Sequence, residues 1–301
     1  MNAGPGEART SPGRPADPCV RSTIPEVTVP RQPLGPESVL LSDRVALVTG
    51  AARGIGRATA EALARFGADV AICDRDRPGL DETARTIEAA GRRVHTGELD
   101  VRDRAAVDGF VADAAAELGP LDVLVNNAGG GFFAEFLEIS SKGQTALVDE
   151  NFTSVTHVIR AAVPVMSGDG GAIVNVTSVE AHRAGPGFAV YSAMKAAVAN
   201  LTKSLAMELA DRRIRVNCVA PDMIPTPGDA GLAADSAAME LERAYDMKPL
   251  PYDGHVDDCA AAVVYLAGDL GRFVTGTTLH IDGGTHGAGG WRRLHDGGFV
   301  L

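Results

Sequence analysis

Cysteine is scarce: Cys19, Cys73, Cys218 and Cys259 are the only four in 301 residues. They lie far apart, with no Cys-x-x-Cys pair and no metal-ligand spacing. They therefore build no disulfide framework and no zinc module, and read as buried or incidental thiols of a reduced, cytoplasmic protein. Basic charge is also short, with 28 Lys+Arg against 39 Asp+Glu and a net charge of -11. That balance argues against an extended nucleic-acid or anionic-membrane surface, since both need clustered cations. No apolar run approaches the roughly 18 residues of a membrane span. The N-terminus has no apolar core of a secretory leader either. What remains is 45% apolar and 22% charged residues, a globular composition long enough to bury a sizeable core.

Residues 1–38 stand apart. Eight of the 17 prolines fall there (Pro5, Pro12, Pro15, Pro18, Pro25, Pro30, Pro33 and Pro36), without apolar periodicity, and the segment is expected to be a flexible arm. From Val39 the pattern alternates. Short runs rich in Val, Ile and Leu read as strands at 45–48, 70–73, 93–96, 123–126, 172–177, 215–219 and 278–281. Amphipathic stretches between them read as helices: one carrying Ile55, Ala58, Thr59, Ala62, Leu63 and Phe66 on one face, then 79–90, 103–118, 145–166, 190–210 and 257–268. Strands without polar alternation are buried on both faces. The chain from 39 is therefore expected to be one α/β domain, a doubly wound parallel sheet with helices on both faces.

The first strand runs into Thr49-Gly50-Ala51-Ala52-Arg53-Gly54-Ile55-Gly56. Glycines in a strand-to-helix turn let the backbone approach a pyrophosphate, and the helix N-terminus offers free N–H groups to it. The second strand ends at Asp74, placed to accept from the ribose hydroxyls of an adenosine and to repel a 2′-phosphate. That favours NAD over NADP, although Arg53 and Arg75 are guanidinium groups in the same region. Tyr191 and Lys195 are four apart on an expected helix and share a face. A Tyr titrates near 10, and a nearby ammonium lowers that value, which makes Tyr191 a candidate general acid/base.

In order, TGAARGIG (49–56), LDV (99–101), NNAG (126–129), Asn151, Ser178, YSAMK (191–195), IRVNCVAP (214–221) and TGTTLHIDGG (275–284) resemble the short-chain dehydrogenase/reductase family over residues 39–284. The resemblance implies a Rossmann-like sheet of seven parallel strands and interconversion of alcohols and carbonyls with a nicotinamide cofactor. It also implies a catalytic set. Tyr191 moves the substrate proton, and Lys195 holds the nicotinamide ribose and tunes Tyr191. Ser178 hydrogen-bonds the substrate oxygen, and Asn151 positions a proton relay from Lys195. Cofactor contacts are implied for Gly50, Arg53, Gly54, Ile55, Gly56, Asp74, Asp100, Val101 and Asn127, for Tyr191 and Lys195, and for Ile224 and Thr226 at the nicotinamide end. No metal is implied, and His280 and His286 beside Asp282 lack ligand-type spacing.

The sequence also departs from the family. Asp222 follows Pro221 where Gly is usual, a position that tends to need open backbone angles. Phe132, Phe133, Phe136 and Phe188, with Met223 and a lid at 227–248, would make a mostly apolar pocket, with Glu180, His182 and Arg183 at its rim. Residues 285–301 run past the family pattern and hold the single Trp, Trp291. They are expected to be ordered against another subunit of a homotetramer, with Trp291 buried. The expected activity is NAD-dependent interconversion of a secondary alcohol and a ketone. The alternatives are an NADPH-dependent 3-oxoacyl-thioester reductase and a catalytically silent NAD-binding regulator.

Overall fold

Strand β1 (Val45–Thr49) sits at the centre of the chain's computed structural model, its five residues all buried. Residues 33–222, 224–226, 245–246 and 248–301 are described. The arm to residue 32, Met223 and most of the expected lid lie outside them. The 3-10 turn Pro36–Val39 precedes β1, and Leu41 is fully buried against the first helix, donating its N–H to the Phe66 carbonyl.

Seven strands form one sheet in the order β3-β2-β1-β4-β5-β6-β8, every neighbouring pair parallel. They are β1, β2 (Asp69–Asp74), β3 (Val94–Glu98), β4 (Val123–Asn126), β5 (Gly171–Val176), β6 (Ile214–Pro221) and β8 (Thr278–Ile281). The order reverses between β1 and β4, and a ligand crevice opens at the C-terminal ends of strands at such a switch point. The outermost strands β3 and β8 are half-exposed, which leaves the uninterrupted apolar runs to the interior.

Alternation along β1 divides the core. Ala46 and Val48 face α1 (Gly54–Arg65), α2 (Arg77–Ala89) and α7 (Val256–Ala267), whereas Val45 and Leu47 face α3 (Arg104–Leu118), α5 (Ser154–Ala162) and α6 (Ala189–Glu208). Two layers of helices thus enclose the sheet. The helix starts follow capping chemistry: Asp76 accepts from the Gly79 amide and Asp103 from the Ala105 and Ala106 amides.

The segment expected as one helix over 145–166 is instead divided. Helix α4 (Ser141–Val148) opens into a π turn at Asp149–Thr153 before α5 resumes. A π turn adds one residue to the hydrogen-bonded ring, so it rotates the side chains that follow it, and such turns collect at functional sites. Here it carries Asn151 into full burial. A second, antiparallel sheet in the order β10-β9-β7 was not foreseen. It joins β7 (Tyr245–Asp246) to a hairpin of β9 (Arg292–Leu294) and β10 (Phe299–Val300). The short helix α8 (Thr285–Ala288) leads into that hairpin.

Candidate active site

The turn after β1 is shaped by glycines for steric reasons. Gly50 and Gly54 have φ of 68° and 59°, in the region side chains avoid. A Cβ on Gly56 would run into the Gly50 carbonyl oxygen. No side chain caps the first turn of α1, so its amides face the crevice. Thr226 lies across this turn, its Cγ2 3.5 Å from where a Gly54 Cβ would stand. Ile224 is buried. This cradle, closed to side chains and lined by backbone N–H groups, fits a dinucleotide pyrophosphate.

Asp74 closes one side. Its Oδ2 accepts from the Ala52 amide at 3.0 Å, and its Oδ1 from the Arg75 amide at 2.7 Å. The carboxylate is thereby fixed to the glycine turn. Arg75 has Nη1 3.8 Å from Asp100 and Nη2 3.4 Å from Glu150. Asp100 is held below the usual carboxylate range, first by its hydrogen bonds from Arg102. Val101 is buried beside it. Asn127 donates to the Thr49 and Gly50 carbonyls at 3.1 and 3.0 Å, and Thr49 Oγ1 accepts from the Asn127 and Ala128 amides. Thr49 escaped sequence reasoning, as did Glu150. Only their places beside a glycine turn and Asn151 could have marked them.

Two of the catalytic candidates, Asn151 and Lys195, meet at Gly129. Asn151 donates to the carbonyls of Gly130 at 2.8 Å and Leu147 at 3.0 Å, and accepts from the Gly130 amide at 3.2 Å. A Cβ on Gly129 would lie 2.9 Å from Asn151 Oδ1 and 3.2 Å from Lys195 Nζ, so glycine keeps the space between them open. Lys195 is 5% exposed and donates to the Val176 carbonyl at 3.0 Å. Burial lowers its pKa to about 8, against weaker opposing effects of Cys218 and Glu150. Its ammonium stands 5.5 Å from the centre of the Tyr191 ring. Ser178 is 9% exposed at the end of β5, and its Oγ accepts from the Glu180 amide at 3.2 Å.

On the substrate side, Tyr191 meets Phe188 edge-on at 6.2 Å, and Phe188 meets Phe133 at 5.7 Å. Phe132, Phe133 and Phe136 are exposed. Asp222 does not take the left-handed backbone expected of the position. Among described non-glycine residues only Asp43 and Arg213 do, so this substitution for glycine carries no backbone strain. Its carboxylate instead accepts from Thr285 Oγ1 at 2.6 Å and lies 3.2 Å from Arg183 Nη2. His280 and His286 stack in parallel at 4.0 Å, with His182 edge-on to both. Among the described residues no group of three His, Cys, Asp or Glu has metal-holding geometry. Trp291 is 53% exposed on the chain itself.

Residues 50–286 match the profile of the enoyl-(acyl carrier protein) reductase family. Cis-4-hydroxycyclohexanecarboxylate dehydrogenase of Sinomonas cyclohexanicum is 42% identical over 81% of this chain and 96% of its own. A 3-oxoacyl-[acyl-carrier-protein] reductase of Thermotoga maritima is 37% identical over 81% and 98%. Among solved structures, carveol dehydrogenase of Mycobacterium avium in complex with NAD superposes with a TM-score of 0.75, at 32% identity over 81% of this chain and 98% of its own. With the seven-stranded sheet, the glycine cradle and this breadth of similarity, the chain belongs to the short-chain dehydrogenase/reductase family of Rossmann-fold oxidoreductases, enzymes that act on CH–OH groups.

Proposed function

We propose that the protein interconverts a secondary alcohol and a ketone using NAD(H). The observation that carries this reading is the buried Lys195 ammonium beside the Tyr191 ring, with Asn151 across Gly129 from it. When bound, the cofactor supplies or takes up the hydride. Gly50, Arg53, Gly54, Ile55 and Gly56 would hold its pyrophosphate, and Asp74, Asp100, Val101 and Asn127 its adenosine end. Ile224, Thr226, Tyr191 and Lys195 would hold the nicotinamide end.

The chain's own part is to manage the proton and the developing charge on oxygen. Tyr191 gives the proton to that oxygen, or takes it from the alcohol, by general acid/base catalysis. The Ser178 hydroxyl donates to the same oxygen and stabilises the alkoxide character of the transition state. Lys195 places a positive charge under Tyr191, which favours its phenolate. Asn151, fixed by three hydrogen bonds, orients the path along which Lys195 is reprotonated.

NAD is favoured because a 2′-phosphate would meet the Asp74 carboxylate, while Arg75 is turned toward Asp100 and Glu150. The relative from Mycobacterium avium was solved with NAD, which supports the same choice. The Phe133–Phe188–Tyr191 wall favours an apolar alcohol body. The protein is further proposed to be cytoplasmic and a homotetramer, with 39–284 the catalytic domain and 285–301 an interface element; the expected arm lies mostly outside the described residues, and its last residues, from Pro36, form the 3-10 turn before β1. The exposed Trp291, Phe299 and Leu301 support the interface role.

The test is a panel of cyclohexanol, cis-4-hydroxycyclohexanecarboxylate, 2-octanol, their ketones and an acetoacetyl thioester, each with NAD(H) and NADP(H), followed by nicotinamide absorbance. Turnover of a secondary alcohol with NAD supports the reading. NADPH-dependent reduction of the thioester alone replaces it with the acyl-thioester alternative, and silence throughout favours a regulator.

A further inference from the structure

A continuous polar chain runs from the segment after β8 to the Ser178 hydroxyl. Thr285 Oγ1 donates to Asp222 Oδ2 at 2.6 Å. The same oxygen lies 3.2 Å from Arg183 Nη2. Arg183 in turn donates from Nε at 3.0 Å and from Nη2 at 2.7 Å to Glu180 Oε1. The backbone N–H of Glu180 then donates to Ser178 Oγ at 3.2 Å.

The burial of the members sets the direction of control. The Asp222 side chain is 11% exposed and that of Glu180 21%, whereas Arg183 is 39% exposed. Two largely buried carboxylates are therefore held by one guanidinium that sits outside them. A carboxylate in such a place is costly unless its charge is met. Asp222 is itself fixed at the end of β6, its amide donating to the Ile281 carbonyl at 3.0 Å. It provides the rigid end of the chain.

The consequence falls on a hydroxyl rotor. Ser178 Oγ has one proton and two lone pairs. The Glu180 amide occupies one lone pair, which leaves the proton free to donate away from that amide. That amide belongs to the short 3-10 turn Val179–Ala181, which the Glu180–Arg183–Asp222 link ties to the end of β6. We propose that Asp222 is a positioning residue: through Arg183 and Glu180 it fixes the turn that aims the Ser178 hydroxyl at the substrate oxygen. This rests on the donor role of Ser178 proposed above. It also explains why a residue with a carboxylate stands where the backbone would accept glycine.

The experiment is a double-mutant cycle on the panel alcohol with the highest kcat/KM. Asp222→Asn keeps the shape and removes the charge, and Arg183→Ala breaks the chain at a second point. Each is expected to lower kcat about tenfold, the scale of a misaligned hydrogen-bond donor, with KM for NAD changed less than about twofold. In a Ser178→Ala background, assayed at high enzyme concentration, either change is expected to lower kcat by less than about twofold, because residues acting as a unit are not additive. Losses that multiply in that background, or no loss in wild type, overturn the proposal. If Ser178→Ala alone leaves kcat unchanged, the donor role of Ser178 fails and this inference falls with it. That result is distinct from an additive cycle built on an impaired Ser178→Ala enzyme.

Discussion

Lys195 Nζ lies 5.5 Å from the centre of the Tyr191 ring and is tied to the Val176 carbonyl at 3.0 Å, one ammonium serving both a phenol and the end of a strand. A charge so placed favours the Tyr191 phenolate and so bears on the proton-transfer step. Tyr191→Phe removes the hydroxyl and keeps the ring packed on Phe188. Turnover is expected to fall at least ~10²-fold while cofactor affinity persists. Steady-state rates and cofactor titration by fluorescence check this, and near-normal turnover rejects the assignment.

The same ammonium has a stability consequence. Burial depresses Lys195 from its ordinary 10.5 to about 8. A group whose folded value is depressed adds its stability above the unfolded value and loses it as pH falls through the folded one. Below pH 8 the wild type therefore carries a buried charge that Lys195→Met lacks. The lost charged hydrogen bond to Val176 costs about 1.5–3 kcal/mol, against a desolvation penalty of several kcal/mol for a buried ion. Lys195→Met is expected to be inactive yet to melt higher than wild type at pH 7, the gap closing toward pH 10.5. Calorimetry across that range decides it, and a lower Tm at pH 7 would contradict the reasoning.

The proposed preference for NAD rests on repulsion of a 2′-phosphate by Asp74, with Arg75 placed against Asp100 and Glu150. Wild type is expected to show a higher kcat/KM with NAD than with NADP, and Asp74→Ala to narrow the gap. A wild-type preference for NADP would mean that Arg53 or Arg75 reaches the 2′-phosphate after all.

Three imidazoles in contact cannot all be cationic at low cost. Desolvation lowers the pKa of His182 and of His280 below 6.5, with His286 adding to both shifts. Lys203 pushes His182 further down, and Asp282 partly offsets the shift of His280. Asp222 and Arg183 stand beside this cluster as an ion pair. Stability from a depressed histidine is present above the unfolded value and lost as pH falls below it. His280→Asn is expected to lose less Tm than wild type between pH 7 and pH 5. Parallel curves for the two proteins would show that the cluster does not titrate in that window.

Much of this was legible in the sequence because strand burial and glycine turns leave direct marks. Val45 through Val48 could only be a strand buried on both faces, and Gly50 and Gly54 sit where φ is positive. Asn151, Ser178, Tyr191 and Lys195 were proposed from motifs, and Asn151 and Lys195 both approach Gly129, with the Lys195 ammonium 5.5 Å from the centre of the Tyr191 ring. The π turn at Asp149–Thr153 was not legible, since the one extra residue breaks the apolar phase between two segments of only eight and nine residues, too short to show the break. Nor was the Asp222–Arg183 pair, which joins residues 39 apart through tertiary packing. The small sheet was missed because β7, β9 and β10 are two or three residues each, too short for periodicity to register.

The tail after Gly284 gives the last prediction. Thr285 donates to Asp222, and the His286 amide donates to Asp282 Oδ2 at 2.7 Å, so the tail's first turn is anchored to the ends of β6 and β8. Beyond it, Leu294 pairs with Tyr245 and Arg293 with Asp246, which holds the strand entering from the segment before α7. The hairpin then leaves Trp291, Phe299 and Leu301 at 53%, 70% and 79% exposure. So much apolar surface on one short element is characteristic of an interface. Truncation after Gly284 is expected to lower Tm, to convert the proposed tetramer to smaller species in light scattering, and to raise KM for the alcohol more than for NAD. Trp291, the single tryptophan, reports independently: its emission should shift to the red on dilution as subunits part. A truncated protein with unchanged mass, Tm and KM would show that the tail is dispensable.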